Sequence, residues 1–471
     1  MQDLDKVFYP RSIAIIGASP DTKSQGNGYV AAHQEHNFSG NIYPVHPKAE
    51  YVRGIKTYKS ILDIPNDVDY VISNVPNFSA LELVHQSAVK NVKVIQFFTA
   101  RFSETGIPEM AELENELLIQ AEKYGIRIIG PNCMGVYHPE NGMAFRLGMP
   151  VEKGNVGFFS QSGGNSIEFV TEGHARGLSF SKGISYGNAL DLNEVDFINY
   201  LMNDEETSVI AAYIEGVRNG KNFLSSLRKA TKIKPVVILK GGRTQAGSRA
   251  VNSHTASLAG SKEIWNAIEK QTGVILANNM DELVDLCVTF SFCNPTYGKN
   301  VGVVGGGGGR SVASADECEE AGLNVIPFPQ SIIDEFRKID PKISEWISNP
   351  ADGSILGGSK LNMKMILSTI NQHPEFNLII GNIGEHFPLD QLHGIETVNN
   401  TAKNYIEIAN SRLKPMALVL GHGVSQFDWQ RNGLQEIREK IKENKVAVFP
   451  SVYRAARSLS IAVNYWNRVK I

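Results

Sequence analysis

A chain of 471 residues is longer than one hydrophobic core ordinarily organises, and at roughly 150 residues per domain it predicts about three domains. Its 42% hydrophobic and 20% charged residues are ordinary for a soluble globular protein, and a formal charge of -3 gives no electrostatic reason to bind nucleic acid or an anionic membrane. The opening MQDLDKVFYPRS lacks an apolar h-region, no apolar run approaches the roughly 20 residues that span a bilayer, and Cys133, Cys287, Cys293 and Cys318 have neither CxxC spacing nor matching histidines. The expectation is a cytoplasmic protein with no metal site, no disulfide framework and no membrane contact.

In chain order, SIAIIGA, NIYPVH, DYVISNV, VKVIQFF and IRIIGPN read as strands covered on both faces, because they are runs rather than alternations. Between the last two, IPEMAELENELLIQAEKYG carries helical spacing and Gly125 as its stop. The pattern restarts after Pro150 with NVGFFS, FSKGIS, SVIAAYIE, PVVILKGG and GVILA. Past the turn formers of SFCNPTYG it restarts again with NVGVVGG, NVIPFP, NLIIGNI, PMALVLGHG and VAVFPS. Alternation of this kind predicts an α/β protein of three consecutive doubly wound parallel-sheet domains, bounded at 1–149, 150–294 and 295–471.

Glycine-rich turns follow the first strand of each block. In IIGASPDTKSQGNGYV, Gly17, Gly26 and Gly28 let backbone approach a ligand ahead of a helix whose amino terminus favours an anion. The spacing is not GxGxxG and no acid is placed for a ribose; Lys48 in YPVHPK suits a phosphorylated ribose, which points to coenzyme A rather than NAD. In FFSQSGGNSIEFV, Ser160, Gln161, Ser162, Gly163 and Gly164 place successive amides and two hydroxyls at a helix start, a cradle for phosphate or a phosphoryl group. The third turn, VVGGGGGRSVASADECEEAG, fits either an anion site at Arg310 or plain glycine flexibility.

His254 stands in AVNSHTASLAGS, between arms too poor in bulky apolar groups to form a core stripe, which predicts a ligand-admitting or moving loop. A neutral imidazole is a nucleophile toward phosphorus, and its phosphorylated form keeps a high transfer potential. Its second nitrogen needs an acceptor. Glu215, at the end of SVIAAYIEG, is delivered where α/β sites cluster; a solvated acid before a Gly216 turn would have the same spacing.

Together, IAIIGAS, YPVHPK, GPNCMG, FFSQSGG, ISYGNALD, YIEG, KGGRTQAGSRAVNSHTASLAG and SNPADG resemble, in order and over nearly the whole chain, the α subunits of the NDP-forming acyl-CoA synthetases. The resemblance is to the ADP-forming acetyl-CoA synthetase group, with a more distant similarity to the α subunit of succinyl-CoA synthetase. The resemblance implies a Rossmann-like CoA-binding domain followed by two flavodoxin-like ligase domains. It implies the reversible conversion of acyl-CoA, ADP and phosphate to a carboxylic acid, CoA and ATP through an acyl phosphate and a phosphohistidine at His254, with Glu215 orienting the ring. Gly17, Ala18, Ser19, Gly26, Lys48, Val75, Pro76 and Asn132 match the CoA site, and the Ser160–Gly164 turn matches the phosphoryl site. No ATP-grasp glycine loop or magnesium carboxylate set is evident, so ADP/ATP and Mg belong on a separate ATP-grasp β subunit in a hetero-oligomer.

Departures from the family pattern leave the acyl group open. SHTASLAG, SYGNALD and GGGGGR replace SHTGSLAG, SLGNKAD and GGPG, so that Ala256, Tyr186, Ala189, Leu190, Asn165 and Ser166 differ. The alternative of another class is a non-catalytic CoA or acyl-CoA-binding regulatory protein of the same fold.

Overall fold

The computed structural model describes residues 4–255, 261–342, 346–356, 359–384, 394–421 and 427–469. They divide into two compact units, Met1–Leu283 and Val284–Ile471.

The first unit holds two sheets. Strands β1 (Ser12–Ile16), β2 (Asn41–Val45), β3 (Tyr70–Ser73), β4 (Val94–Phe97) and β5 (Arg127–Ile129) lie in the order β2-β1-β3-β4-β5, all parallel. These are the five apolar runs of the first block, and the centres of β1, β3 and β4 are buried throughout because helices cover both faces. Helix α1 (Gln25–Glu35) follows β1 and is capped by Ser24, whose hydroxyl accepts from the Asn27 N–H. Helix α2 (Pro108–Tyr124) begins on a proline that needs no donor and stops at Gly125, at φ +67°. Leu117 and Ala121 of α2 pack with Leu83, Val84, Val71, Ile95 and Ile128. The order reverses between β1 and β3, which opens a crevice at their carboxyl ends.

After β5 the chain adds a strand that no apolar run announces. Residues Gly135–Tyr137 (β6) pair antiparallel with the edge of the second sheet, so a segment ahead of residue 149 completes the neighbouring domain. The remaining strands of that sheet are β7 (Lys153–Ser160), β8 (Phe180–Ser185), β9 (Val209–Ile214), β10 (Val236–Lys240) and β11 (Ile275–Ala277), in the order β11-β10-β9-β7-β8-β6. Phe158, Phe169 and Phe180 meet edge to face under it, with centroids 5.6–5.7 Å apart. Such contacts add about 0.5–1.5 kcal/mol per pair beyond area burial. The second reversal falls between β7 and β9.

In the second unit, β12 (Val301–Gly305), β13 (Leu378–Gly384), β14 (Met416–Leu420) and β15 (Ala447–Phe449) are parallel and in sequential order. The expected strand NVIPFP is not one. On the side of β12 away from β13 there are two single bridges, Asn300 with Asn324 and Val304 with Ala351. Pro327 and Pro329 cannot donate to a ladder, so two separate segments hold that edge.

Candidate active site

The turn after β7 is closed by its own serines. Ser160 Oγ accepts from the Ser162 N–H at 3.1 Å and donates to the Ser162 carbonyl at 2.8 Å. Ser162 then caps helix α3 (Gly163–Ala175) by accepting from the Asn165 N–H at 3.2 Å, while Ser166 donates back to the Ser162 carbonyl at 2.8 Å. Gly163 is required by packing, since a Cβ there would lie 2.6 Å from Met134 Cγ; Gly164 has no such neighbour. The N–H groups of Gly163 and Gly164 have no intrahelical acceptor and stand at the positive end of a 13-residue helix, which is the chemistry of an anion site.

Glu215 meets this turn directly. The Gln161 side-chain oxygen accepts the backbone N–H groups of both Glu215 and Gly216, the latter at 2.9 Å, and the Gln161 N–H reaches the Tyr213 carbonyl at 3.1 Å. Glu215 is 5% exposed, and Tyr213 donates to its Oε1 at 3.2 Å. Burial first, and then the Glu215 carboxylate, push the Tyr213 phenol up to about 12. The acid and the Ser160–Gly164 turn are thus joined at the second sheet's reversal.

Two residues beside Glu215 escaped the sequence reading. Tyr213 is one; Lys240, the last residue of β10, is the other. Lys240 is 3% exposed, donates to the Glu215 carbonyl at 2.8 Å and to the Gly241 carbonyl, and lies 5.6 Å from the Trp265 ring centroid. The only signal was a cation ending the apolar run VVILK. Desolvation lowers its pKa to about 8, against the attraction of Glu215. Its bonds to carbonyls are charge-assisted below that pH and weaken above it. Turnover is expected to fall as pH rises through about 8, and Lys240→Met should lack that limb in a pH–rate profile.

In the first sheet, Gly17 adopts φ +82° and α1 approaches it so closely that a Cβ on Gly26 would lie 2.3 Å from the Gly17 carbonyl oxygen. Gly26→Ala is therefore expected to displace the β1–α1 turn, weaken CoA binding at least about tenfold in calorimetry, and lower stability by about 1–3 kcal/mol in thermal melts. Ala18 is buried, Ser19 Oγ accepts from the Asp21 N–H at 3.1 Å, and Asn27 donates to the Ser19 carbonyl at 2.7 Å while accepting from Arg53. Asn74, just after β3, bonds the Ile16 carbonyl through its N–H at 3.0 Å. Val75 and the exposed Pro76 follow it, and the Val75 carbonyl accepts the Thr99 hydroxyl. Gly17, Ala18, Ser19, Gly26, Val75 and Pro76 therefore gather at the first reversal. Lys48 is exposed beyond β2, and Asn132 follows β5 at φ +59° with its N–H on the Thr99 carbonyl at 3.0 Å. Arg53, Asn27 and Asn74 were not read from the sequence. Cys133 is buried, and its thiol is pushed well up by burial, so it is no nucleophile.

The segment expected as a loop before His254 is instead helix α4 (Gln245–Thr255). Thr244 starts it, its hydroxyl accepting from the Gly247 N–H at 3.1 Å and its carbonyl from the Ser248 N–H at 2.7 Å. Gln, Ala and Arg then favour helix over the loop that small residues suggest. The stretch leading into α4 passes beside the acid: a Cβ on Gly241 would lie 3.4 Å from Glu215 Cγ. Helix α4 packs beside the turn Ser103–Thr105 of the first sheet's domain. His254 falls in its last turn, about 14 Å along the axis from Gln245 at 1.5 Å per residue. The His254 side chain and residues 256–260, Ala256 among them, lie outside the described residues.

Of the family departures, Tyr186 is a core residue. It is fully buried, with ring centroids 6.2 Å from Phe159 and 5.2 Å from Phe197. Ala189 adopts φ +55°, and Leu190 belongs to the first sheet's core.

Residues 11–139 match the CoA binding domain family model and residues 153–290 the succinyl-CoA ligase like flavodoxin domain. Over 349 residues the chain is 40% identical to the acetate–CoA ligase [ADP-forming] II subunit alpha of Pyrococcus furiosus, covering 74% of this chain and 76% of that relative. The chain belongs to the ADP-forming acetate–CoA ligase family. Family membership favours the ligase over the regulatory alternative. The acetate–CoA ligase [ADP-forming] of Methanocaldococcus jannaschii is 39% identical over 354 residues, which span 74% of this chain and 49% of that longer relative. Among solved structures, the family member from Ca. Korarchaeum cryptofilum, a dinucleotide forming acetyl-coenzyme A synthetase 1 in complex with phosphate and ADP, matches with a TM-score of 0.82 at 28% identity. That match covers 100% of this chain and 98% of the other. Among the described residues, no helix is long and apolar enough to cross a membrane.

Proposed function

We propose that this chain is the α subunit of a reversible acyl-CoA synthetase that turns acyl-CoA, ADP and phosphate into a carboxylic acid, CoA and ATP. Residues 1–149 hold CoA, residues 150–294 carry the phosphoryl chemistry, and residues 295–471 form a second ligase domain. The observation that carries this reading is the pair of backbone bonds from Glu215 and Gly216 to Gln161, which joins a carboxylate to a helix-capped anion turn at one reversal point.

Phosphate held at Ser160–Gly164 attacks the thioester carbonyl carbon, the carbon–sulfur bond breaks, and CoA leaves as thiolate. The resulting acyl phosphate is attacked at phosphorus by a neutral His254 nitrogen, which releases the carboxylate. Glu215 accepts a hydrogen bond from the N–H of the second ring nitrogen and compensates the charge the ring gains. ADP then takes the phosphoryl group.

That last step requires ADP/ATP and Mg, which we assign to a separate ATP-grasp β subunit of a cytoplasmic hetero-oligomer. Support comes from the similar chain named a subunit alpha and from the longer relative not named as a subunit, of which the aligned stretch spans 49%. The four cysteines are free and buried, as suits a reducing compartment. Reconstitution tests the assignment: with acyl-CoA, phosphate, ADP and Mg, ATP should form only when an ATP-grasp chain is added. ATP formation by this chain alone would refute it. A panel of acyl-CoA thioesters in the same assay identifies the acid.

A further inference from the structure

At the opposite end of the second sheet from the phosphate turn, one ring nitrogen of His138 and one carboxylate oxygen each from Glu140 and Glu206 lie within 4.8 Å of one another. Glu206 precedes β9, whereas Glu215 follows it, so the length of a six-residue strand, about 20 Å, separates this cluster from the site above.

His138 is fully buried, and its Nδ1 lies 2.8 Å from the Phe8 carbonyl oxygen. A carbonyl can only accept, so the Nδ1 proton is fixed there and Nε2 presents its lone pair. That atom is buried and has no hydrogen-bond partner, a costly state for an imidazole with no other role. The same arrangement, a backbone carbonyl behind the ring and a bare nitrogen in front, orients histidines that bind metals.

Both carboxylates of the cluster are already paired with lysines. Glu140 pairs with Lys153 at 2.9 Å; Glu206 pairs with Lys182, which also holds Asp204 at 2.9 Å. Each carboxylate has a second oxygen to offer. An open cleft of about 780 Å³, lined in part by Tyr9, Asp204 and Glu206, reaches the Glu206 side of the cluster.

We propose that His138, Glu140 and Glu206 bind one zinc-class divalent cation, completed by water, that ties the segment after β6 to the loop before β9. An imidazole with two carboxylates selects zinc-like ions over calcium or magnesium, which take oxygen donors. Tetrahedral bonds of about 2.0–2.2 Å require donors roughly 3.3–3.5 Å apart. The Glu140 and Glu206 side chains, each 39% exposed, can close the remaining distance.

The test uses untagged full-length protein stripped with a chelator and titrated with Zn2+, Co2+, Mg2+ and Ca2+. The site predicts uptake of one Zn2+ per chain at micromolar or lower concentration, a raised Tm, and four-coordinate d–d bands with Co2+. Mg2+ and Ca2+ should bind at least a hundredfold more weakly. Glu140→Gln and Glu206→Gln should weaken Zn2+ binding at least tenfold, and His138→Gln should abolish it. Because His138→Gln alters a buried residue, the exposed Glu140→Gln decides the matter if the histidine variant fails to fold. Absence of stoichiometric uptake, or uptake and Co2+ bands unchanged in Glu140→Gln, overturns the proposal.

Discussion

The His254→Asn variant is expected to lose acyl-CoA-dependent ATP formation by about 10⁴-fold or more while binding CoA as the native chain does. Asparagine preserves polarity and much of the side-chain volume but cannot carry a phosphoryl group, so the two half-reactions lose their common intermediate. CoA affinity should persist because the glycine turn at Gly17 and Gly26 is closed by packing between β1 and α1 themselves. A joint fall in CoA affinity and turnover would instead mark residue 254 as structural. Steady-state turnover with the β subunit, read beside a CoA titration of the α chain, separates the outcomes.

Glu215→Gln is expected to cost about 10²–10³-fold in turnover. The amide keeps the shape of the carboxylate, leaves the backbone N–H groups of Glu215 and Gly216 on Gln161, and can still accept from Tyr213. Only the charge goes. A preorganised charge opposite a ring that becomes cationic during transfer is worth roughly 2.7–4 kcal/mol where one such stabilising group is removed. Thermal stability and CoA affinity should stay near native, and pre-steady-state phosphoryl transfer should slow in proportion. Turnover within a factor of three of native would remove Glu215 from the mechanism. With Lys240→Met, the two variants distinguish charge at the reacting ring from the anchoring of the strand end that presents it.

What the sequence made legible follows from how each feature is encoded. Strands β1 to β5 were readable because a strand covered on both faces must be an apolar run, and the Ser160–Gly164 turn because a helix start after a strand needs small capping residues. Strand β6 was hidden: three residues between turns carry no periodicity, and their pairing with β8 is a long-range event. NVIPFP misled because its apolar residues mimic a strand while its prolines deny it a ladder. Glycine and serine around Arg243–Ala250 suggested a loop, yet Thr244 and the helix formers behind it start α4. Lys240 and Tyr213 acquire their roles only when β10 and β9 bring them beside Glu215. His138 was one histidine among eleven until the Phe8 carbonyl and the distant Glu206 came alongside.

The central claim is that one imidazole picks up a phosphoryl group on this chain and surrenders it to a nucleotide elsewhere. The most direct measurement is mapping of the modified residue by mass spectrometry after incubation with acyl-CoA and labelled phosphate, or with ATP, Mg and the β subunit. The account predicts an acid-labile, base-stable phosphate on residue 254 that ADP and the β subunit discharge. Label on any other residue, or none with a competent partner present, would contradict it.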